Sequence, residues 1–462
     1  MLRRDRVVAM VTLFLLHIFT VGAAFAVVKL TPARNLEPRP AAVASRDLVR
    51  SNGAPLPAAD AAAPVPTATA LSSRLAGLLR PEINAVVIDA ATRRVLFDQR
   101  GGKAAVPAST TKLVTSTAVL AAVGPDHRLT TKVVQSGSGS GVVLVGGGDP
   151  TLAGPAVTPA RLAAAYPRPA SIVELARQTA AALKRTGKTQ VRLDFDASLY
   201  GGSRTAPGWK PNYLKDGEAA PVTALMIDEG RVTPGVDTAP RVQDPVTTAV
   251  QVFGRQLQRY GITVRPGNRV VAAKGATQLA AVQSPPVSAL VEQLLTTSDN
   301  DLAEAMARQV AIKQRLTPDF AGVAKGVHDA LAGLGVSQGV QTFDGSGLSI
   351  KNMITPEGLA RVLSLAASGR HPELRSVITG MPVAGFSGTL SGRYLGPTTQ
   401  TAAGLVRAKT GTLSDVSTLA GLAYDADGRL LAFAFMANKV KDVAATRSSL
   451  DLLATAVAGC GC

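Results

Sequence analysis

Cysteine is nearly missing from this chain of 462 residues: only Cys460 and Cys462 occur, at its C-terminus. Two residues build neither a disulfide framework nor a cysteine-rich zinc site. A bridge across one intervening residue is expected to be strained, so the pair reads as a terminal turn without a catalytic part. Histidine is almost as scarce. His17, His127, His328 and His371 are widely spaced, and none sits in a metal-ligand pattern or beside a Gly-x-Ser-x-Gly elbow, so a histidine-based triad lacks its base. Aromatic residues make up 4% of the chain and Trp209 is the single tryptophan, which leaves the packing to small and branched side chains. Acidic residues are also short, 32 against 49 Lys and Arg, for a net charge of +17. The basic residues are scattered singly, with no Lys/Arg block and no basic stretch interleaved with aromatics. That pattern disfavours nucleic acid as the partner and suits an anionic cell envelope.

What is present starts with a leader. Met1-Leu-Arg-Arg-Asp-Arg6 precedes an apolar run over residues 7–28, broken only by Thr12, His17 and Thr20, and Ala24-Phe25-Ala26 has the small-x-small form of a cleavage site. Residues 1–30 therefore read as a secretory signal or a membrane anchor, and the Ala/Pro-rich stretch 31–70 as an extended tether. Export to an extracytoplasmic place in the cell envelope follows.

The remainder shows folded patterns. Strands are predicted at 85–89 and 95–98 around a turn, then helical spacing from Ser109 to Val123 with Leu113, Thr117 and Leu120 on one side. Strand-like pieces follow at 132–135 and 142–145, then Gly146-Gly-Gly-Asp-Pro150, a helix at 171–184 and a strand at 190–195. Mixed structure continues to about 274. Helices are predicted at 287–295, 301–313, 318–334 (with Pro318 in its first turn) and 356–367, strands at 405–410, 417–424 and 429–437, and a last helix at 444–458. Early strands, central helices and late strands indicate an α/β (α+β) fold. One domain, made of 71–128 and 285–462, is split by a long mixed α/β insertion over 129–284.

Three short motifs follow one another: Ser109-Thr-Thr-Lys112, Ser298-Asp-Asn300 and Lys409-Thr-Gly411. Ser109 falls at a predicted helix start, where unpaired N–H groups favour developing negative charge. Lys112 lies over the same face, three residues on. It can act as a base for the Ser109 hydroxyl only if its ammonium loses a proton, which burial and a second cation, Lys409, would promote. Ser298 lies in a turn between two helices, where its hydroxyl can relay a proton, and the Asn300 amide offers a donor and an acceptor to a peptide. Either residue could equally cap the helix starting at Asp301. Lys409 and Thr410, at the end of an edge strand, can hold a terminal carboxylate, and Gly411 leaves room for close approach. Arg185-Thr-Gly187 resembles the last motif but has the wrong order and context, and reads as a helix C-cap. Trp209 reads as a packed loop anchor.

As an ordered set these motifs resemble the penicillin-recognising serine enzymes, that is, penicillin-binding proteins and serine β-lactamases. Gly146-Gly-Gly-Asp-Pro150, Asp344-Gly-Ser-Gly-Leu-Ser349, Gly388-Thr-Leu390 and the long separation of Ser109 from Ser298 are similar to the class C low-molecular-mass penicillin-binding proteins, which are D-Ala-D-Ala carboxypeptidases and endopeptidases. The resemblance implies a β-lactamase-like transpeptidase domain without metal or organic cofactor. It also implies a peptidoglycan stem peptide ending in D-Ala-D-Ala as substrate and β-lactams as inhibitors. Ser109 would attack with help from Lys112, and the N–H groups of Ser109 and Thr412 would hold the oxyanion. Ser298 would pass a proton to the leaving D-alanine, Asn300 would bind the substrate amide, and Lys409 with Thr410 would grip the carboxylate. Two other readings are a β-lactamase-like hydrolase, which needs a group that activates water on the penicilloyl ester, and a wall-binding protein without activity.

Overall fold

Local sequence sets the element ends. In this computed structural model, which describes residues 62–137, 139 and 141–461, the Thr67 hydroxyl accepts from the Ala70 N–H and starts helix α1 (Ala68–Ala76). The hairpin β1 (Ile83–Asp89) and β2 (Val95–Gln99) follows, then a short 3-10 turn (Ala108–Thr110) that runs into helix α2 (Thr111–Val123). The middle of the chain forms β3 (Arg128–Gln135), β4 (Gly141–Val145), α3 (Ile172–Arg185), β5 (Gln190–Asp196), α4 (Pro245–Arg259), β6 (Thr263–Arg269) and β7 (Gln278–Pro286). Helices α5 (Val287–Thr297), α6 (Asn300–Lys313), α7 (Phe320–Gly333) and α8 (Pro356–Ala367) come next. Strands β8 (Val406–Leu413), β9 (Val416–Tyr424) and β10 (Leu430–Asn438) and helix α9 (Val443–Ala458) complete the described chain.

Two five-stranded sheets organise these elements. The first is antiparallel throughout, in the order β8-β9-β10-β1-β2, and draws its strands from both ends of the described chain. Its inner strands β1, β9 and β10 are buried along almost their whole length because both faces are covered. Along β10, Leu431, Phe433 and Phe435 pack with Leu71, Leu75, Leu450 and Leu453 of α1 and α9. Ala432, Ala434 and Met436, on the opposite face, join the core built by α2 and α5 to α8. Each fully buried Leu or Phe contributes roughly 1.5–3 kcal/mol. The second sheet, in the order β6-β5-β4-β3-β7, is mixed: β4, β5 and β6 run parallel, joined by crossovers that contain α3 and α4. Pro266 is tolerated in β6 because that strand is an edge.

Several expectations need correction. Ser109 precedes α2 in the 3-10 turn, and Thr111 to Leu120 are buried on every side, because α2 runs through the core rather than along it. Pro318 lies outside α7, which Asp319 caps. Lys409-Thr-Gly411 lies inside β8, which continues to Leu413. Folded structure begins slightly before Leu71, with α1. Cys460 is buried and disulfide-bonded, while Cys462 lies outside the described residues. The leader and most of the tether, up to residue 61, also lie outside them. Among the described residues, no helix is long and apolar enough to cross a membrane.

Candidate active site

Ser109 owes its position to a backbone conformation that few side chains adopt freely. Ala108, just before it, has φ of +48°, and the turn is locked from three sides. The Pro107 carbonyl accepts from the hydroxyls of Thr110 (2.7 Å) and Thr418 (2.8 Å), and the Ala108 carbonyl accepts from Thr111 Oγ1 (2.9 Å). One helical turn on, Lys112 is fully buried. Its Nζ lies 3.0 Å from Ser109 Oγ, 2.6 Å from Asn300 Oδ1 and 2.7 Å from the Ser346 carbonyl oxygen. Burial lowers the Lys112 ammonium to about 8, while the carboxylates of Asp344, Asp299, Glu304 and Glu218 pull it back up. Lys409 is shifted as well: burial, followed by the charges of Lys112 and Arg393, pushes it well below the usual lysine range.

Ser298 closes α5 in the left-handed conformation (φ 62°, ψ 35°), which turns the chain sharply into α6. Neither Ser298 nor Asn300 is the cap of that helix. Asp299 is, its Oδ1 accepting from the Leu302 N–H at 2.8 Å. Ser298 Oγ is instead 2.9 Å from Lys409 Nζ, giving a second serine–lysine pair beside the first. The same turn is held from behind by the middle of the chain. Asp301 accepts from the Ala220 N–H (2.7 Å) and from Arg241 Nε (3.1 Å), and Asn300 Nδ2 donates to the Glu218 carbonyl (2.8 Å). Glu229, Asp299 and Asp301 bring their carboxylates together there, and Arg231 and Arg241 supply the counter-charge.

On β8 the structure revises two roles. A Cβ on Gly411 would lie 2.2 Å from Thr418 Oγ1 and 2.7 Å from the Pro107 carbonyl oxygen, so this glycine makes room for the Ser109 turn rather than for a substrate. Lys409 is fully buried, its Nζ donating to Ser298 Oγ and to the Thr410 carbonyl (2.9 Å), so it stands behind Ser298 and not in open space. Thr410 Oγ1 pairs with Thr389 Oγ1 at 2.9 Å, which places the Gly388-Thr-Leu390 segment at the strand. The edge of β8 is covered only in part. Ala408 N–H donates to Pro382 and Val406 accepts from Ala384. By the two-residue repeat of a strand, the amides of Thr410 and Thr412 point out along the same open edge.

The Asp344–Ser349 loop touches the site directly, through the Ser346 carbonyl. Asp344 is its hub, accepting from Gly347 N–H, Ser349 N–H, Asn352 Nδ2 and Trp209 Nε1 at 2.6–2.9 Å. Gly347 has φ of +87°, and a Cβ there would meet the Ala108 carbonyl at 1.9 Å. Trp209 is the loop anchor its context suggested, packed edge-on against Phe320 and Tyr213. The glycines of Gly146-Gly-Gly-Asp-Pro150 are a packing feature: a Cβ on Gly147 would lie 2.1 Å from the Thr130 carbonyl.

Ser109, Ser298, Asn300 and Thr412 open onto a cleft of about 460 Å³, with Tyr213 and Glu218 on its far wall. The structure thus brings all three motifs to one place, with Lys409 and Gly411 just behind the surface. Sequence reading missed the Ser346 and Glu218 carbonyls, Tyr213 and Glu304. Glu304 had a legible signal, since it lies four residues from Asn300 and hence on the same helix face.

A model of the D-Ala-D-Ala carboxypeptidase 3 (S13) family matches residues 69–240 and 236–457. A carboxypeptidase of Mycobacterium tuberculosis is 35% identical over 416 residues, covering 88% of this chain and 87% of the relative. The carboxypeptidase DacB of Mycolicibacterium smegmatis is 36% identical over 412 residues, covering 87% of each. Among solved structures, penicillin-binding protein 4 of Haemophilus influenzae superposes with a TM-score of 0.67 at 21% identity, over 85% of this chain and 98% of that one, and so shares the fold.

Proposed function

The chain belongs to the D-Ala-D-Ala carboxypeptidase 3 (S13) family, and from that premise we propose that it hydrolyses the terminal D-Ala-D-Ala bond of peptidoglycan stem peptides through an acyl-enzyme on Ser109. The observation that carries this reading is the coordination of Lys112. A neutral amine has two N–H groups and one lone pair. With Asn300 Oδ1 and the Ser346 carbonyl taking the two hydrogens, the lone pair is left to Ser109 Oγ at 3.0 Å. That is the arrangement of a general base on a serine nucleophile.

In this reading Lys112 takes the Ser109 proton as Oγ bonds to the carbonyl carbon. The N–H groups of Ser109 and Thr412 receive the oxyanion. The C–N bond then breaks, and Ser298 passes the proton from Lys112 to the departing D-alanine amine. Water cleaves the ester, returning the proton to Ser109 and releasing the shortened peptide. The substrate backbone pairs along the open edge of β8 and contacts the remaining donor of Asn300. Its carboxylate settles at Thr410, with Lys409 behind. A carboxylate there favours the charged form of Lys409, whose repulsion favours a neutral Lys112. A β-lactam, which presents an activated amide carbonyl and a carboxylate, would acylate the same oxygen. Stem peptides as substrate, together with the basic charge, support a location outside the cytoplasm, in the cell envelope.

The test is D-alanine release from a peptide ending in D-Ala-D-Ala. Wild type is expected to release it and Ser109→Ala to release none. Equal release by both would remove Ser109 from the mechanism.

A further inference from the structure

Glu304 is 1% exposed in the middle of α6, where a carboxylate loses its hydration and needs a reason to be present. Its Oε1 accepts from the N–H groups of Gly345 (3.0 Å) and Ser346 (2.8 Å). The Gly345 carbonyl is held in turn by Thr115 Oγ1 of α2 at 2.7 Å, and the Ser346 carbonyl takes a hydrogen of Lys112. Asn300, one turn earlier on the same helix, holds another hydrogen of Lys112. One face of α6 therefore controls two of the three contacts of the lysine, one directly and one through the Gly345–Ser346 backbone.

Two N–H groups sharing one oxygen could be served by an uncharged glutamine. The charge of Glu304 is not tied up in an ion pair among the described residues. Its Oε2 has no hydrogen-bond partner, and Arg308, one turn on, leaves Nε and Nη1 without one while its guanidinium lies 4.1 Å from the Phe320 ring centroid. We propose that Glu304 is a positioning residue of the acylation step: it aims the Ser346 carbonyl at Lys112, and its charge sets the proton affinity of that amine. The inference rests on the reading of Lys112 as the base.

The surroundings fix the sign. Glu304 faces Arg308 on its own helix, Asp344 on the loop and Lys112 on α2, and Lys112 also faces Asp299, Glu218 and Lys409. Burial, then the charge of Asp344, raises the Glu304 carboxyl to about 7, and its ionised form raises Lys112. Removing the charge while keeping the acceptor oxygen should therefore let Lys112 lose its proton at lower pH.

The experiment measures the rate of acylation by labelled penicillin across pH for wild type, Glu304→Gln and Glu304→Ala, with thermal unfolding to confirm folding. Glu304→Gln is expected to keep the plateau rate and move the acid limb down by about one unit. Glu304→Ala frees the loop and is expected to lower the plateau by roughly 100-fold. An unmoved or upward-moved limb in Glu304→Gln, whether or not Glu304→Ala folds, overturns the proposal, as does a wild-type plateau in a folded Glu304→Ala. If wild type itself forms no adduct, the acyl-enzyme reading falls and takes this inference with it. Wild-type acylation with an unchanged glutamine variant defeats this inference alone.

Discussion

Gly411 and Ser109 are packed so closely that a Cβ on the glycine would lie 3.0 Å from the Ser109 amide nitrogen. The nearest atoms include the Pro107 backbone carbonyl, which is fixed by two threonine hydroxyls and cannot swing away. Gly411→Ala is expected to push the nucleophile turn off β8 and displace Ser109 from the oxyanion position. Acylation by labelled penicillin should fall by roughly 100-fold or more, with folding retained by circular dichroism. Wild-type acylation in this variant would show that the turn can relax.

The amine of Lys112 is useful as a base only when neutral. Burial lowers it to about 8, so the neutral fraction grows as pH rises through that value and shrinks below it. The acylation rate should therefore rise across neutral pH with an acid limb near 8, and Lys112→Met should abolish it at every pH. A flat profile over this range would assign the base elsewhere.

Trp209 meets the site through its hydrogen bond to Asp344 and through its edge-on contact with Tyr213. Trp209→Phe keeps the ring packing but removes the 2.8 Å bond to Asp344 Oδ2, which still receives the Ser349 N–H at 2.7 Å. The expected loss is about 1–2 kcal/mol of stability in denaturant titration, with weaker acylation as the Ser346 loop loosens. Unchanged stability and acylation would mean that the loop is held by its own bonds.

Asp89, at the end of β1, and Arg429, just before β10, form a buried two-bond ion pair at 2.5 and 3.0 Å that ties together two neighbouring strands of the first sheet. Burial pushes the Asp89 carboxyl up, but hydrogen bonds from Arg429 and Thr92 outweigh it and hold it below the usual aspartate range. A depressed carboxyl contributes stability above its unfolded pKa and loses it as pH falls through the folded value, so the pair should weaken only in acid. Asp89→Asn removes a counter-charge from the buried Arg429 and is expected to cost roughly 3–5 kcal/mol, read as a lower melting temperature at neutral pH. A melting temperature equal to wild type would show that the guanidinium finds other acceptors.

The sequence by itself determined the parts whose signal is local. Ser109-Thr-Thr-Lys112, Ser298-Asp-Asn300 and Lys409-Thr-Gly411 name the chemistry because the side chains needed lie within a few residues of one another. Apolar periodicity likewise located α5, α6, β9 and β10 to within a residue or two. Tertiary structure alone decided which groups complete the site. The Ser346 and Glu218 carbonyls are backbone atoms that every residue possesses, so no residue type marks them in advance. Gly411 faces Ser109 only because β8 lies against the turn at Ala108, and Lys409 is withdrawn from the cleft only because the sheet and α5 close over it. Burial also sets the proton affinities of the two lysines, and burial belongs to the packed chain rather than to any segment of it.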